Sequence, residues 1–336
     1  MTGIRLVGSV AMIGFLGVFG SGNHLAQADQ TALVKVDGSS TVYLTTEAVA
    51  EEFQKASRGR IRVTVGISGT GGGFKKFCRG ETDIADASRP ILKEEIDLCQ
   101  KNGIAYYELP IAFDAMTVAV SPKNTWVTSM TVEELKKMWE PAAQNKITRW
   151  NQVRSDWPDA PLVLFGPGSD SGTFDYFTDA IVGKAKSSRG DYTASEDDNV
   201  IVQGIESNKN ALGYMGFAYY IAQTEKLKAI AIIGKTGPVM PSAENVLKGI
   251  YQPLSRPLFI YVNEAAAKRT EVKEFVDYYL TEGPKLIAEV RYIPLPENVY
   301  TKVRERFKKG DVGTGFGGVP EVGLAVEEIM SRPPKR

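Results

Sequence analysis

Short β-branched or apolar runs alternate along the chain with Gly/Ser/Thr turns and then with amphipathic, charged stretches, the pattern of strands handing over to helices in an α/β fold. Three units carry it most clearly. In the first, residues 33–36 read as a strand, Gly38-Ser39-Ser40-Thr41 as a turn and 45–57 as a helix. In the second, 61–65 is the strand, 68–73 the turn and 74–79 the start of a helix. In the third, the strand 162–165 leads through 166–173 into a helix that runs on from Phe174.

Two longer apolar runs organise the rest. Residues 109–120 are apolar apart from Asp114 and Thr117, too long for one ordinary strand, and read as a segment that leaves one lobe and enters another. Residues 256–262 would carry the chain back. The expected plan is therefore two lobes, 31–114 plus 256–336 and 115–255, joined by two crossover hinge segments. A late Gly-x-Gly-x-x-Gly match, Gly313 to Gly318, follows a charged helix and precedes Pro320, so it lacks the strand-to-helix context of a dinucleotide site and is expected to be a surface loop.

The first 28 residues fall outside this pattern. Arg5, an apolar run over 6–19 and Leu25-Ala26-Gln27-Ala28 have the plan of a signal peptide cleaved near Ala28, so the protein is expected to be exported to the periplasm. Cleavage removes one base and no acid, leaving about 308 residues with 39 basic and 40 acidic side chains, a balance that argues against nucleic acid as a partner. It also removes His24, the one histidine, which excludes Ser-His-Asp triads and histidine-ligated metal centres; neither a metal nor a cofactor is expected. Cys78 and Cys99 are the two cysteines, and an exported setting permits them to pair, although two unpaired buried thiols also fit.

Candidate chemistry lies in the three turns. A helix N-terminus carries partial positive charge and backbone N–H groups without helical partners, so three such ends facing one cleft make an anion site. Ser39, Ser40 and Thr41, then Ser68 and Thr70, then Ser169, Ser171 and Thr173 add hydroxyl donors, and the neighbouring glycines, Gly172 among them, let the backbone come close. Any one turn alone reads more readily as a cap for its own helix, and it is the three together that point to an anion site. In Asp86-Ala87-Ser88-Arg89-Pro90, Ser88 adds a hydroxyl and Arg89 is the candidate cation, its backbone biased to an extended form by the following proline. Phosphate keeps a proton near neutral pH, so an acceptor carboxylate would favour it over sulfate. Asp114 is the candidate acceptor, with Asp198 and Asn199 as weaker ones.

The segments Asp37-Gly38-Ser39-Ser40-Thr41-Val42, Ser68-Gly69-Thr70-Gly71-Gly72-Gly73-Phe74 and Ser169-Asp170-Ser171-Gly172-Thr173-Phe174 resemble those of the Pst-type periplasmic phosphate-binding proteins, and more closely their SphX-like branch. The likeness spans nearly all of 31–330. It implies a type II periplasmic-binding-protein fold, closure on one inorganic phosphate, delivery to a membrane ABC permease, and a monomer without catalytic residues. It places Ser40, Thr41, Ser68, Thr70, Ser171, Gly172 and Thr173 on phosphate. Two departures stand out: Asp86-Ala87-Ser88-Arg89 where many members have Ala-Ser-Asp, and Gly166-Pro167-Gly168 where many have an arginine before the third turn. Arg89 and Asp114 are expected to take over those two roles. The alternatives are a binding protein for sulfate or molybdate, or a secreted phosphohydrolase; against the latter, Asp170 occupies the place of a nucleophile elbow's serine.

Overall fold

In the computed structural model, which describes residues 32–169, 171–235, 237–319 and 325–335, strand β1 (Ala32–Gly38) exposes Leu33 and Lys35 and buries the alternating Val34 and Val36, as period-two patterning requires. The expected signal segment lies outside the described residues. Helix α1 (Ser40–Ala56) buries Val42, Thr45, Thr46, Val49, Ala50 and Phe53, one stripe at helical spacing. It starts five residues before the expected Thr45. Ser39 Oγ accepts from Val42 N at 3.4 Å, and this cap draws the hydroxyl-rich turn into the helix.

Strand β2 (Ile61–Ile67) lies parallel to β1 along its whole length, and helix α2 (Gly69–Phe77) follows at once. Here the glycine run 69–73, expected as a turn, is helical. Each interior glycine costs a helix about 1 kcal/mol, and close packing accounts for the choice: a Cβ on Gly73 would lie 2.5 Å from Gly38 Cα. Only a bare backbone lets α2 approach β1 so tightly.

Strand β3 (Ile84–Ala87) adds to the other edge of β1. Strand β4 (Tyr106–Val120) is continuous and buried throughout. It changes partners midway: Tyr106 to Ala115 pair antiparallel with the strand Ser255–Asn263, and Met116 to Val120 pair antiparallel with the strand Ala211–Gly216. Among the described residues the sheet runs in the order β2, β1, β3, Ser255–Asn263, β4, Ala211–Gly216, Val163–Pro167, Thr193–Ser195. Parallel strands thus flank an antiparallel centre, a mixed α/β sheet.

Cys78, at the end of α2, is bonded to Cys99 of helix α3 (Lys93–Lys101). The Gly313–Gly318 segment is pinned rather than loose at the surface. Thr314 Oγ1 donates to the buried Glu108 carboxylate at 2.5 Å and Gly315 N donates to it at 2.9 Å, while Gly318 O accepts from Lys93 N at the start of α3. The glycines serve close packing here too, since a Cβ on Gly318 would lie 2.8 Å from the Lys93 backbone.

Candidate functional site

A cavity of about 590 Å³ opens where the three turns meet. Its first wall begins at Gly38, whose φ of +151° and whose position 2.2 Å, for a would-be Cβ, from Asp86 O admit only glycine. Ser39 N donates to that same carbonyl at 2.9 Å, and Ser39, Ser40 and Thr41 line the cavity.

The second wall is divided. Ser68 N donates to Gly38 O at 3.1 Å and its hydroxyl is given to Asp37, which also accepts from Lys76 Nζ at 2.6 Å. Ser68 therefore braces the first turn against the second and does not line the cavity. Gly69 and Thr70 do, together with Ser88: Thr70 Oγ1 accepts from Ser88 N at 3.2 Å and the two hydroxyls lie 3.1 Å apart.

The third wall is the helix Gly172–Phe177, capped by Ser171, whose Oγ accepts from Thr173 N at 3.2 Å. Gly172 lines the cavity; Ser171 and Thr173 flank it without doing so. A Cβ on Gly172 would lie 2.9 Å from Thr41 Oγ1 and 3.4 Å from Ser40 Oγ, so the first and third turns are in contact.

Arg89 lines the cavity but is already engaged. Its guanidinium donates to both Glu95 carboxylate oxygens, at 2.9 and 2.8 Å, and to Pro90 O at 3.1 Å. The cation that reaches the first turn is Arg256, on the strand Ser255–Asn263. Arg256 donates to Thr41 Oγ1 at 2.9 Å and to Asp114 Oδ2 at 3.3 Å, and its guanidinium carbon lies 3.8 Å from the centroid of the Tyr176 ring. Sequence reasoning passed over Arg256. The available signal was the Arg-Pro step it shares with Arg89, repeated on the second crossover run.

Asp114 is thus placed beneath Arg256 and not in the cavity wall. Burial raises its pKa while Arg256 opposes the rise. Asp198 starts the helix Asp198–Ser207 and Asn199 bonds to the capping Asp197, both away from the cavity. Two other acids, Asp175 and Asp179, do line it. Behind the first turn Asp86 is fully buried; burial pushes its pKa up to about 8, opposed by the hydroxyl of Thr46, which donates to it at 3.0 Å.

Residues 25–282 match the PBP superfamily domain. Protein SphX of a Synechocystis species is 54% identical over 300 residues, covering 89% of each chain. The phosphate-binding protein PstS of Staphylococcus saprophyticus is 35% identical over 295 residues, covering 87% of this chain and 89% of its own. Among solved structures, a possible phosphate-binding protein from Planctomyces limnophilus superposes with a TM-score of 0.78 at 46% identity, over 83% of this chain and 98% of that one.

Proposed function

From a chain that belongs to the PBP superfamily and, within it, to the family of SphX and PstS, we propose a solute-binding protein that captures inorganic phosphate and delivers it to the permease of an ABC transporter. The observation that carries the reading is the common cavity, where hydroxyls from two chain turns and the backbone of a third surround a space that Arg256 enters. The N-terminal amides of α1 and α2 would meet the anion's oxygens with the favourable end of each helix dipole, worth about 0.3–1 kcal/mol per end. Ser40, Thr41, Thr70 and Ser88 supply hydroxyl donors, Arg256 supplies the charge, and Asp114 holds Arg256 in place.

The switch of β4 from one set of partners to another at Ala115 and Met116 supports two lobes with the hinge at that step and at the start of the strand Ser255–Asn263. Closure of the lobes would dry the cavity, strengthen each charge-assisted hydrogen bond and present the permease with a distinct shape. The leader-like residues 1–28 support export to the periplasm, and no helix among the described residues is long and apolar enough to cross a membrane. The protein acts as a monomer and catalyses no reaction.

Titration calorimetry at neutral pH tests the reading. Phosphate is expected to bind one to one, with sulfate and molybdate unable to displace it at equal concentration. Absence of phosphate binding, or ready displacement by either competitor, would remove it. Sustained turnover of a chromogenic phosphate ester would favour an enzyme instead.

A further inference from the structure

Ser88, Arg89, Pro90 and Leu92 line the cavity from residues 88–92, the link between β3 and α3. A link outside strand and helix must have its backbone N–H groups met in some other way. Ser88 N donates to Thr70 Oγ1, Leu92 N donates to Glu95 Oε2 at 2.9 Å, and Ile91 N donates to the Tyr261 hydroxyl at 2.9 Å. Thr70 and Glu95 belong to α2 and α3 beside the link, whereas Tyr261 ties it to the centre of the sheet.

Tyr261 is fully buried and lies directly opposite Glu108 of β4 in the antiparallel register. Cross-strand partners share a face, and the Tyr261 hydroxyl donates to Glu108 Oε2 at 2.8 Å. The same carboxylate accepts from Thr314 Oγ1 and Gly315 N of the C-terminal segment. With its proton committed to Glu108, the hydroxyl is left to accept from Ile91 N, so the orientation of one bond sets that of the next. The Tyr261 ring also packs on Phe74 of α2, with 4.8 Å between centroids, and the Arg89 guanidinium carbon lies 5.7 Å from the Phe74 ring. Neither Tyr261 nor Glu108 lines the cavity. An apolar pair would fill this part of the core without burying a carboxylate; a carboxylate with three donors also fixes directions. Resting on the phosphate reading, we infer that Tyr261 and Glu108 are positioning residues for the cavity, a buried relay that ties the Ser88-Arg89-Pro90 wall to the C-terminal segment.

The test compares phosphate affinity in the full chain and its variants, by calorimetry at neutral pH and well below the melting temperature. In Tyr261→Phe the affinity should fall by about fivefold, the scale of one lost hydrogen bond, and the Ile91 amide should exchange with solvent faster than in the parent. Glu108→Gln leaves one acceptor oxygen where two took three donors, and should lose affinity in the same sense. Tyr300→Phe is the matched control: the Tyr300 hydroxyl is also buried, donates to Ile111 O at 2.6 Å and accepts from Leu295 N at 3.2 Å, away from the cavity. It should lose stability but keep wild-type affinity, a split that a purely structural role for Tyr261 does not produce. Wild-type affinity in Tyr261→Phe or in Glu108→Gln, or an equal loss in Tyr300→Phe, overturns the inference while leaving phosphate binding intact. A wild-type protein that does not bind phosphate overturns the phosphate reading and the inference with it. If thermal unfolding shows Tyr261→Phe to be unfolded, Glu108→Gln, read by affinity and by Ile91 exchange, decides in its place.

Discussion

Gly172 and Thr41 are 131 positions apart in the chain, yet a methyl group on the first would come within 2.9 Å of the hydroxyl of the second. That hydroxyl is not free to swing aside, because it accepts from Arg256 at 2.9 Å. Gly172→Ala must therefore push the third turn away from the first. Phosphate affinity is expected to fall by about tenfold, the cost of lengthening one or two charge-assisted hydrogen bonds. Calorimetry checks this, and the melting temperature should move little, since the strain is relieved into the cavity.

Arg256 bridges the cavity and the buried Asp114, so its removal has two separable consequences. Arg256→Ala should weaken phosphate binding by roughly a hundredfold, in line with loss of hydrogen bonds to a charged donor. It also strands a carboxylate that is only 10% exposed, a change that typically costs about 3–5 kcal/mol of stability. The double variant Arg256→Ala with Asp114→Asn should recover much of the stability and none of the affinity. Arg89→Ala should weaken binding less than Arg256→Ala, because the Arg89 guanidinium is held by Glu95. Urea unfolding and calorimetry on the four proteins give both readouts.

How much of this was legible beforehand follows the range of the interactions involved. The alternation of strands, turns and helices depends on neighbours in sequence, and the three strands appeared where the pattern put them, while each helix that follows began two to five residues earlier than expected. The meeting of the turns was legible because each carries the same kind of chemistry. Arg256 was not read, since its pairing with Asp114 spans 142 positions and its one local signal, the Arg-Pro step, does not say what the side chain reaches. Ser68 misled for the same reason: its partner Asp37 comes from the adjacent strand, and only the parallel register of β1 on β2 brings them together. The glycine run of α2 was misread because tertiary packing against Gly38 overrode helix propensity.

The bond between Cys78 and Cys99 closes a loop of 21 residues between the ends of α2 and α3. In the chain-entropy model such a loop contributes roughly 3 kcal/mol by restricting the unfolded chain. Replacing both cysteines by serine should lower stability by about that amount in urea. Because neither sulfur lines the cavity, phosphate affinity well below the melting temperature should be unchanged. A loss of affinity as large as that of Gly172→Ala would mean that the bond positions the second turn as well as stabilising the fold.

Asp86 gives the fold a pH dependence of definite sign. The ordinary value for its carboxyl is 3.8 and burial raises it to about 8, while Oδ2 has no partner. Between those two values the unfolded chain has released the proton and the folded chain still holds it. Stability therefore falls as pH rises, by about 1.4 kcal/mol per unit from this group alone, and levels off above pH 8. Asp86→Asn keeps the acceptor for Thr46 and has no proton to lose, so its stability relative to the parent should climb steadily between about pH 5 and 7. Urea unfolding of the pair across that range measures the difference directly, since contributions common to both proteins cancel. A difference that stays flat with pH would mean that Asp86 is ionised in the folded protein, and that a negative charge sits directly behind the Ser39 turn.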